Sequence, residues 1–367
     1  MIKILYITNQ ICGPGGLERV LSVKTSHLID NFGYEVHILT LNQGAKEHFY
    51  HFHPKIIYHD IRVKGNPLQY LLSYINGVRH SIKTIKPDII SVCDDGLKGF
   101  FVPLFTNKPC PMVYERHVSK LIEKKNHHNS NGSRLKAKMK YSLMDFGAKH
   151  FSKFVVLTKG NKKEWRLNNL HVISNPLPFY PTPSSTLDSK KIITVGKLSP
   201  QKGYDILIKS WAKIAHQYPD WKIEIYGQGD DYSMLTELVK KHRLERSFKI
   251  NKPTQKIEEV YLNASLYVMP SRFEGFGMVL IEAMACGVPC VAFDCPHGPA
   301  DIIANGEDGI LVPNGNIDML SDKISLLIEN DKLRKGMGAK AKQNVRRYQP
   351  EQIVKQWDNL FKTLLNK

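Results

Sequence analysis

Glu274 and Glu282 stand in the run Pro270-Ser271-Arg272-Phe273-Glu274-Gly275-Phe276-Gly277-Met278-Val279-Leu280-Ile281-Glu282-Ala283-Met284-Ala285-Cys286-Gly287, which reads as a strand end, a glycine-bearing loop and an apolar helix. Gly275, Phe276 and Gly277 lead into a helix opening at Met278. Such a helix start offers unpaired N–H groups and a positive dipole end to a phosphate. Glu282 is surrounded in sequence by Val279, Leu280, Ile281, Ala283, Met284 and Ala285. An unpaired buried charge is costly, so its carboxylate is expected to face a cleft or hold a polar partner, and the vicinal hydroxyls of a ribose are such a partner. Glu274, earlier in the loop, would reach a neighbouring sugar. A helix cap plus a surface carboxylate is the plainer alternative.

Two other places could do chemistry. Asn9-Gln10-Ile11-Cys12-Gly13-Pro14-Gly15-Gly16 follows an apolar run and forms a loop that only small residues permit. Tyr114-Glu115-Arg116-His117 closes another predicted strand at the carboxyl edge, where α/β sheets place their ligands. One tempting set is set aside: Cys286, Cys290, Cys295 and His297 are zinc-ligand types, but their spacing is not a C-x2-C knuckle and Cys290 falls in a predicted buried strand. No metal is expected.

The elements that must position these residues alternate strand and helix. Ile2 to Thr8 reads as a strand, Leu17 to Asp30 has apolar residues at helical spacing, and Tyr34 to Leu41 returns to strand, making a βαβ unit. Asp88 to Val92, Met112 to Tyr114, Phe154 to Leu157 and Val172 to Ser174 continue the first series. The proline- and serine-rich stretch from Asn175 to Ser185 reads as a linker. A second series follows, with strands predicted at Lys191 to Gly196, Trp221 to Tyr226, Ser265 to Met269, Pro289 to Phe293 and Gly309 to Val312. The expected class is α/β, with two doubly wound domains facing each other: residues 1–174, a linker at 175–186, residues 187–349, and a C-terminal helix at 350–367 that packs back toward the first domain.

Bulk properties agree. A chain of 367 residues suits about two domains. Six cysteines, mostly in or beside apolar runs, imply no disulfide framework and suit reduced thiols in the cytosol. The first apolar run breaks at Thr8-Asn9-Gln10, short of a signal peptide, and no later run approaches the ~18 apolar residues of a spanning helix. The expected location is cytoplasmic, peripheral on the inner face of the membrane. A net charge of +18 draws anionic partners without choosing among them.

Glu-x7-Glu between a strand and an apolar helix, followed by Ala285-Cys286-Gly287-Val288-Pro289-Cys290-Val291-Ala292-Phe293-Asp294-Cys295-Pro296, resembles glycosyltransferase family 4 over nearly the whole chain. The resemblance implies retaining transferases of the GT-B fold, two Rossmann-like domains across a cleft. It implies that Glu274 contacts the donor sugar and Glu282 the nucleotide ribose. Val195-Gly196-Lys197-Leu198-Ser199-Pro200-Gln201-Lys202-Gly203 resembles the family's basic pair that grips the donor diphosphate and stabilises it as it leaves, with Lys197 where arginine is usual. Gly15-Gly16-Leu17-Glu18-Arg19 resembles the glycine loop that approaches donor phosphate and sugar, and His117 the strand-end histidine that contacts the donor sugar. Asp294 to Ile303 is similar to a subgroup using N-acetylgalactosamine, galactose and related UDP-sugars on polyprenyl carriers, with Asp301 where glutamate is common. The reaction implied moves a hexose or N-acetylhexosamine from a UDP-sugar to a saccharide acceptor without a metal or other cofactor.

From Lys120 to Arg166 the chain is strongly basic, and Arg134 to Lys149 interleaves Leu135, Met139, Leu143 and Phe146 with Arg134, Lys136, Lys138 and Lys140. A helix there would set an apolar strip beside a cationic face, able to lie on an anionic membrane and to receive a lipid-linked diphosphate acceptor. A solvated basic face packed by its apolar strip is the alternative. A sugar-nucleotide epimerase of similar architecture is a competing function. A dinucleotide oxidoreductase is disfavoured because the first loop lacks G-x-G-x-x-G spacing. Only charge suggests nucleic acid, with no recognition helix or aromatic platform, so no nucleic-acid partner is expected.

Overall fold

The computed structural model describes residues 1–120 and 131–366, with the side chains of residues 131–135 outside the description. Two compact units result: residues 1–176 with 350–367, and residues 177–349.

Unit 1 is built on a seven-stranded sheet of order β3-β2-β1-β4-β5-β6-β7. The strands are β1 (Lys3–Ile7), β2 (Glu35–Leu41), β3 (Ile57–Ile61), β4 (Ile89–Val92), β5 (Met112–Arg116), β6 (Lys153–Val156) and β7 (Leu170–Val172). All neighbouring pairs are parallel. β1, β4 and β5 are apolar runs because helices cover both faces of a parallel sheet. The helix Gly16–Phe32 stops at Gly33, whose φ of 67° is left-handed. The helix Pro67–Ile85 is started by Asn66 and Gln69, each bonding the other's backbone N–H in a capping box.

Helix Pro350–Leu365 belongs to unit 1. It buries Ile353, Val354, Trp357, Leu360, Phe361 and Leu364. It lies against helix Gly16–Phe32, and Tyr34 Oη donates to Asp358 Oδ1 at 3.0 Å.

Unit 2 carries a six-stranded sheet of order β10-β9-β8-β11-β12-β13. Its strands are β8 (Lys191–Val195), β9 (Lys222–Tyr226), β10 (Phe248–Asn251), β11 (Leu266–Met269), β12 (Cys290–Asp294) and β13 (Gly309–Pro313), again all parallel. Trp211 is fully buried on one face and satisfies its indole N–H on Ser247 Oγ at 3.0 Å.

Two strands, β3 and β10, were not expected. Both are sheet-edge strands of mixed polarity, Ile57-Tyr58-His59-Asp60-Ile61 and Phe248-Lys249-Ile250-Asn251, so neither shows a continuous apolar run. The stretch expected as a linker is packed onto unit 2. Leu177 is buried, with its N–H on Tyr348 O at 2.7 Å, and Ser185 N–H bonds Cys286 O at 2.8 Å. Tyr180 Oη donates to Lys342 O at 3.0 Å and accepts from Arg346 Nε at 2.8 Å. Prolines keep this segment out of helix and sheet, and side-chain anchors hold it instead. Among the described residues no helix is long and apolar enough to cross a membrane.

Candidate active site

In unit 2 the candidate residues gather at the carboxyl ends of β8, β11 and β12, and β8 and β11 flank the point where strand order reverses. Doubly wound sheets open a crevice at such a switch point. The loop after β8 and the loop after β11 are bonded along their length. Arg272 N–H donates to Gln201 O at 2.8 Å, and Gln201 Nε2 donates to Phe273 O at 3.0 Å. The Arg272 guanidinium forks onto Asp205, at 2.9 and 2.8 Å, and also donates to Pro200 O at 2.6 Å. Burial pushes the Asp205 carboxyl up, but Arg272 more than offsets it and leaves the pKa below its ordinary value. Gly203, at φ 67°, passes so close that a Cβ there would sit 2.0 Å from Pro270 O.

Within this frame Lys202 Nζ meets Glu274 Oε1 at 2.7 Å. Glu274 is only 5% exposed, and the Lys202 side chain 18%. The loop after β12 joins them: Glu274 N–H bonds Pro296 O at 3.3 Å. Gly298, at φ 105°, lets the backbone pass where a Cβ would lie 2.1 Å from Phe276 O. Gly277, at φ 101°, is the N-cap of helix Met278–Ala285 and has no side chain to cap it. Phe276 is buried edge-on against Tyr348, ring centroids 5.5 Å apart, while Gly275 and Met278 are half-buried.

Glu282 sits in that helix, buried at 5% exposure, and its Oε2 accepts from Tyr261 Oη at 3.0 Å. Its charge therefore has the polar partner that the sequence demanded. Glu274 and Glu282 answer to different groups, a lysine and a tyrosine. Lys197 is exposed, in the same loop as Lys202 but not bonded to Glu274. Sequence reasoning missed Tyr261, Arg272 and Asp205 as organisers, because each acts through a partner at least 21 positions away.

Unit 1 gathers its candidates at the carboxyl ends of β1, β4 and β5. Gly15 is the N-cap of helix Gly16–Phe32, and Glu18 curls back under the loop, so that a Cβ on Gly15 would meet Glu18 Oε2 at 2.3 Å. Burial raises the Glu18 carboxyl above its ordinary pKa, against the pull of its own backbone N–H and of His117. His117 Nε2 lies 3.3 Å from Glu115 Oε2. Glu115 is 1% exposed and also bonds Ser91 Oγ at 2.6 Å and the Lys24 ammonium. Beside them Asn9 Nδ2 donates to Asp94 Oδ1 at 2.9 Å, and Lys98 Nζ pairs with Asp94 at 2.6 Å. Lys24, Asp94 and Lys98 gave no signal in the sequence because they meet the strand ends only through the fold.

This chain is similar to an uncharacterised glycosyltransferase of Haemophilus influenzae, 30% identical over 98% of this chain and 100% of the relative. It is likewise similar to the amylovoran biosynthesis glycosyltransferase AmsD of Erwinia amylovora, 31% identical over 98% and 100%. The family model described as glycosyl transferases group 1 matches residues 182–344. The chain belongs to the group 1 glycosyltransferases. Its fold is that of Anabaena Alr3699/HepE, solved in complex with UDP and glucose, with a TM-score of 0.82 at 20% identity over 99% of this chain and 100% of that one. The architecture of this glycosyltransferase is accordingly GT-B, each unit a Rossmann-like sheet.

The basic helix of the glycosyltransferase, Asn131–Ala148, lies in unit 1. Arg134 has its side chain outside the described residues, as do Leu135 and the whole of Lys124 and Lys125. Lys136 and Lys138 are exposed and Lys140 is half-buried. The helix packs inward through Ala137, Met144 and Ala148, leaving Met139, Leu143 and Phe146 facing water at 60%, 38% and 51% exposure. Of the apolar strip expected as the alternative packing face, the described residues Met139, Leu143 and Phe146 do not pack inward.

The six cysteines are free. Cys286, Cys290 and Cys295 are buried, with thiols pushed up chiefly by burial.

Proposed function

We propose that this glycosyltransferase belongs to family 4 and moves a hexosyl or N-acetylhexosaminyl unit from a UDP-sugar to a saccharide acceptor with retention at the anomeric carbon, in polysaccharide or glycan assembly. The observation that carries the reading is the Lys202–Glu274 pair, a nearly buried ammonium and carboxylate held at 2.7 Å at the switch point of unit 2. An arriving diphosphate competes for the Lys202 ammonium, and sugar hydroxyls compete for the Glu274 carboxylate. One exchange thus loads phosphate and sugar onto neighbouring groups. Glu282 takes the ribose. Lys197, exposed on the same loop, adds charge as the diphosphate leaves, as do Gly275 to Met278 with their backbone N–H groups.

Retention needs no enzymatic nucleophile here, since the departing diphosphate can take the acceptor proton on the face it leaves. The family 4 reading also gives His117 and the Gly15-Gly16 loop contacts to the donor, and residues 1–174 the acceptor. The reading uses no metal, because Lys197 and Lys202 supply the positive charge.

A UDP donor is supported by the UDP and glucose bound in the Anabaena relative of the same fold, and polysaccharide assembly by the Erwinia relative's part in amylovoran biosynthesis. The acceptor we favour is polyprenyl-diphosphate-linked. The outward strip of Met139, Leu143 and Phe146 carries Lys136 and Lys140 on one flank and Lys138 on the other, which suits an anionic membrane on the cytoplasmic side. A screen of UDP-sugars by thermal shift and UDP release tests the donor class. Stabilisation by one or a few UDP-sugars is expected, and release only from other nucleotides would reject it.

A further inference from the structure

Lys24 lies mid-helix in Gly16–Phe32, is wholly buried, and has no part in the transfer chemistry described above. An ammonium withdrawn from water persists only where partners replace its hydration. Lys24 has Glu115 Oε2 as a hydrogen-bonding counter-ion, and its Nζ lies 4.2 Å from the Trp357 ring centroid and 4.8 Å from that of Tyr6. Trp357 comes from the C-terminal helix, so the last helix of the chain covers a charge placed by the first. The same Glu115 oxygen that bonds Lys24 faces His117 Nε2, while the other accepts from Ser91. His117 Nδ1 makes no hydrogen bond among the described residues.

We propose that Lys24, Glu115 and Ser91 form a buried positioning relay that keeps His117 neutral with its proton on Nε2, so that Nδ1 is offered as an acceptor to a hydroxyl of the donor sugar. The inference rests on the reading that His117 touches that sugar. A carboxylate can only accept, so the ring nitrogen facing it must carry the hydrogen. Burial alone would raise the Glu115 pKa, but Lys24 and then His117 hold it down at about 2, so it stays a carboxylate at any working pH.

A bare carboxylate would draw a second proton onto the ring. The Lys24 ammonium, on the same carboxylate oxygen, offsets that charge. Other titratable groups facing this cluster among the described residues are Glu18 from the first helical turn, Cys93 at the end of β4 and Tyr6 in β1, whose phenol is pushed well above its ordinary pKa by burial and then by Glu115. Burial first, then Glu115, pushes the Cys93 thiol well above its ordinary pKa, so it adds no charge. Cys93, Glu115 and His117 bring metal-ligand atoms within 4.8 Å of one another, but the Lys24 ammonium already serves the carboxylate there.

The test is a long-range proton–nitrogen NMR correlation on the full chain labelled at histidine nitrogen, at pH 7.5. The expected wild-type pattern for His117 is a protonated Nε2 and a bare Nδ1. Proton on Nδ1, or on both nitrogens, in the wild type overturns the relay, and this needs no variant to fold. In Lys24→Met both nitrogens are expected to be protonated. In Glu115→Gln, whose amide can donate, the proton is expected to move to Nδ1. An Nε2–H ring in both variants would overturn the proposal.

Lys24→Arg, which keeps the charge, should restore the wild-type pattern. In kinetics, Lys24→Met should lower kcat by up to roughly tenfold, the loss of one hydrogen bond to the sugar, with the acceptor KM unchanged. His117→Ala probes the underlying reading separately: unchanged kcat and KM there would overturn the sugar contact whatever the NMR pattern shows.

Discussion

Replacing Lys202 by methionine removes one member of a close, nearly buried ion pair and leaves Glu274, 5% exposed, without its counter-charge. Stripping the partner from a buried charge costs about 3–5 kcal/mol when the site is dry. Here the Lys202 side chain keeps 18% of its exposure, so water can reach the pair and the expected cost drops toward the roughly 1.5–3 kcal/mol of a charge-assisted hydrogen bond. We expect about 2 kcal/mol. For a unit of this size that lowers the melting temperature by about 4–8 °C. In a Glu274→Gln background the same lysine change should cost under about 1 kcal/mol, because no buried charge is left behind.

The assay is a four-member cycle, wild type, both single variants and the double, followed by urea unfolding and by donor kinetics. The two readouts should diverge: the double variant recovers stability but not transfer, since the proposed function gives both groups to the donor. A coupling energy below about 0.5 kcal/mol would refute the claim that this pair is a charge held ready for a diphosphate.

Further expectations follow from the same geometry. Glu282→Ala should weaken donor binding while Glu274→Ala chiefly slows transfer, read from KM and kcat; unchanged kinetics in both would remove these residues from the site. Gly298→Ala places a Cβ 2.1 Å from Phe276 O at a φ of 105°, so it should displace the Gly275–Gly277 loop and raise the donor KM with little effect on far-ultraviolet circular dichroism. Glu115 is held down at about 2 against an unfolded value near 4.5, so its contribution to stability is complete above about pH 4.5 and is lost as pH falls toward 2. Urea unfolding across that window should show the loss, and a Lys24→Met/Glu115→Gln double variant should flatten it. Changing Lys136, Lys138 and Lys140 to glutamate should abolish flotation with anionic liposomes, and undiminished flotation would exclude this helix as the membrane contact.

Much of the architecture was legible because parallel strands covered on both faces are written as short apolar runs. β1, β8, β11 and β12 could be placed to within a residue or two on that basis. The edge strands β3 and β10 lacked the pattern, since an edge needs less apolar surface. Glu282 stood out as a charge in an apolar helix, and its partner had to exist, yet nothing near it in sequence pointed to Tyr261. The same holds for Lys24 and Glu115, whose 91-residue separation is closed only by helix-on-sheet packing. The polar strand end at Glu115 gave the one local hint. The outward apolar strip of the basic helix could be seen as a strip, but which side packs was decided by Ala137, Met144 and Gly147, small or flexible residues that let the helix approach Phe100.

The central claim, retaining transfer from a nucleotide sugar, is tested most directly by proton NMR of the anomeric centre during turnover in EDTA, with a UDP-sugar and an acceptor saccharide. The account expects a product with the donor's anomeric configuration and stoichiometric release of UDP. An inverted product, or an isomerised UDP-sugar formed without any acceptor, would contradict it.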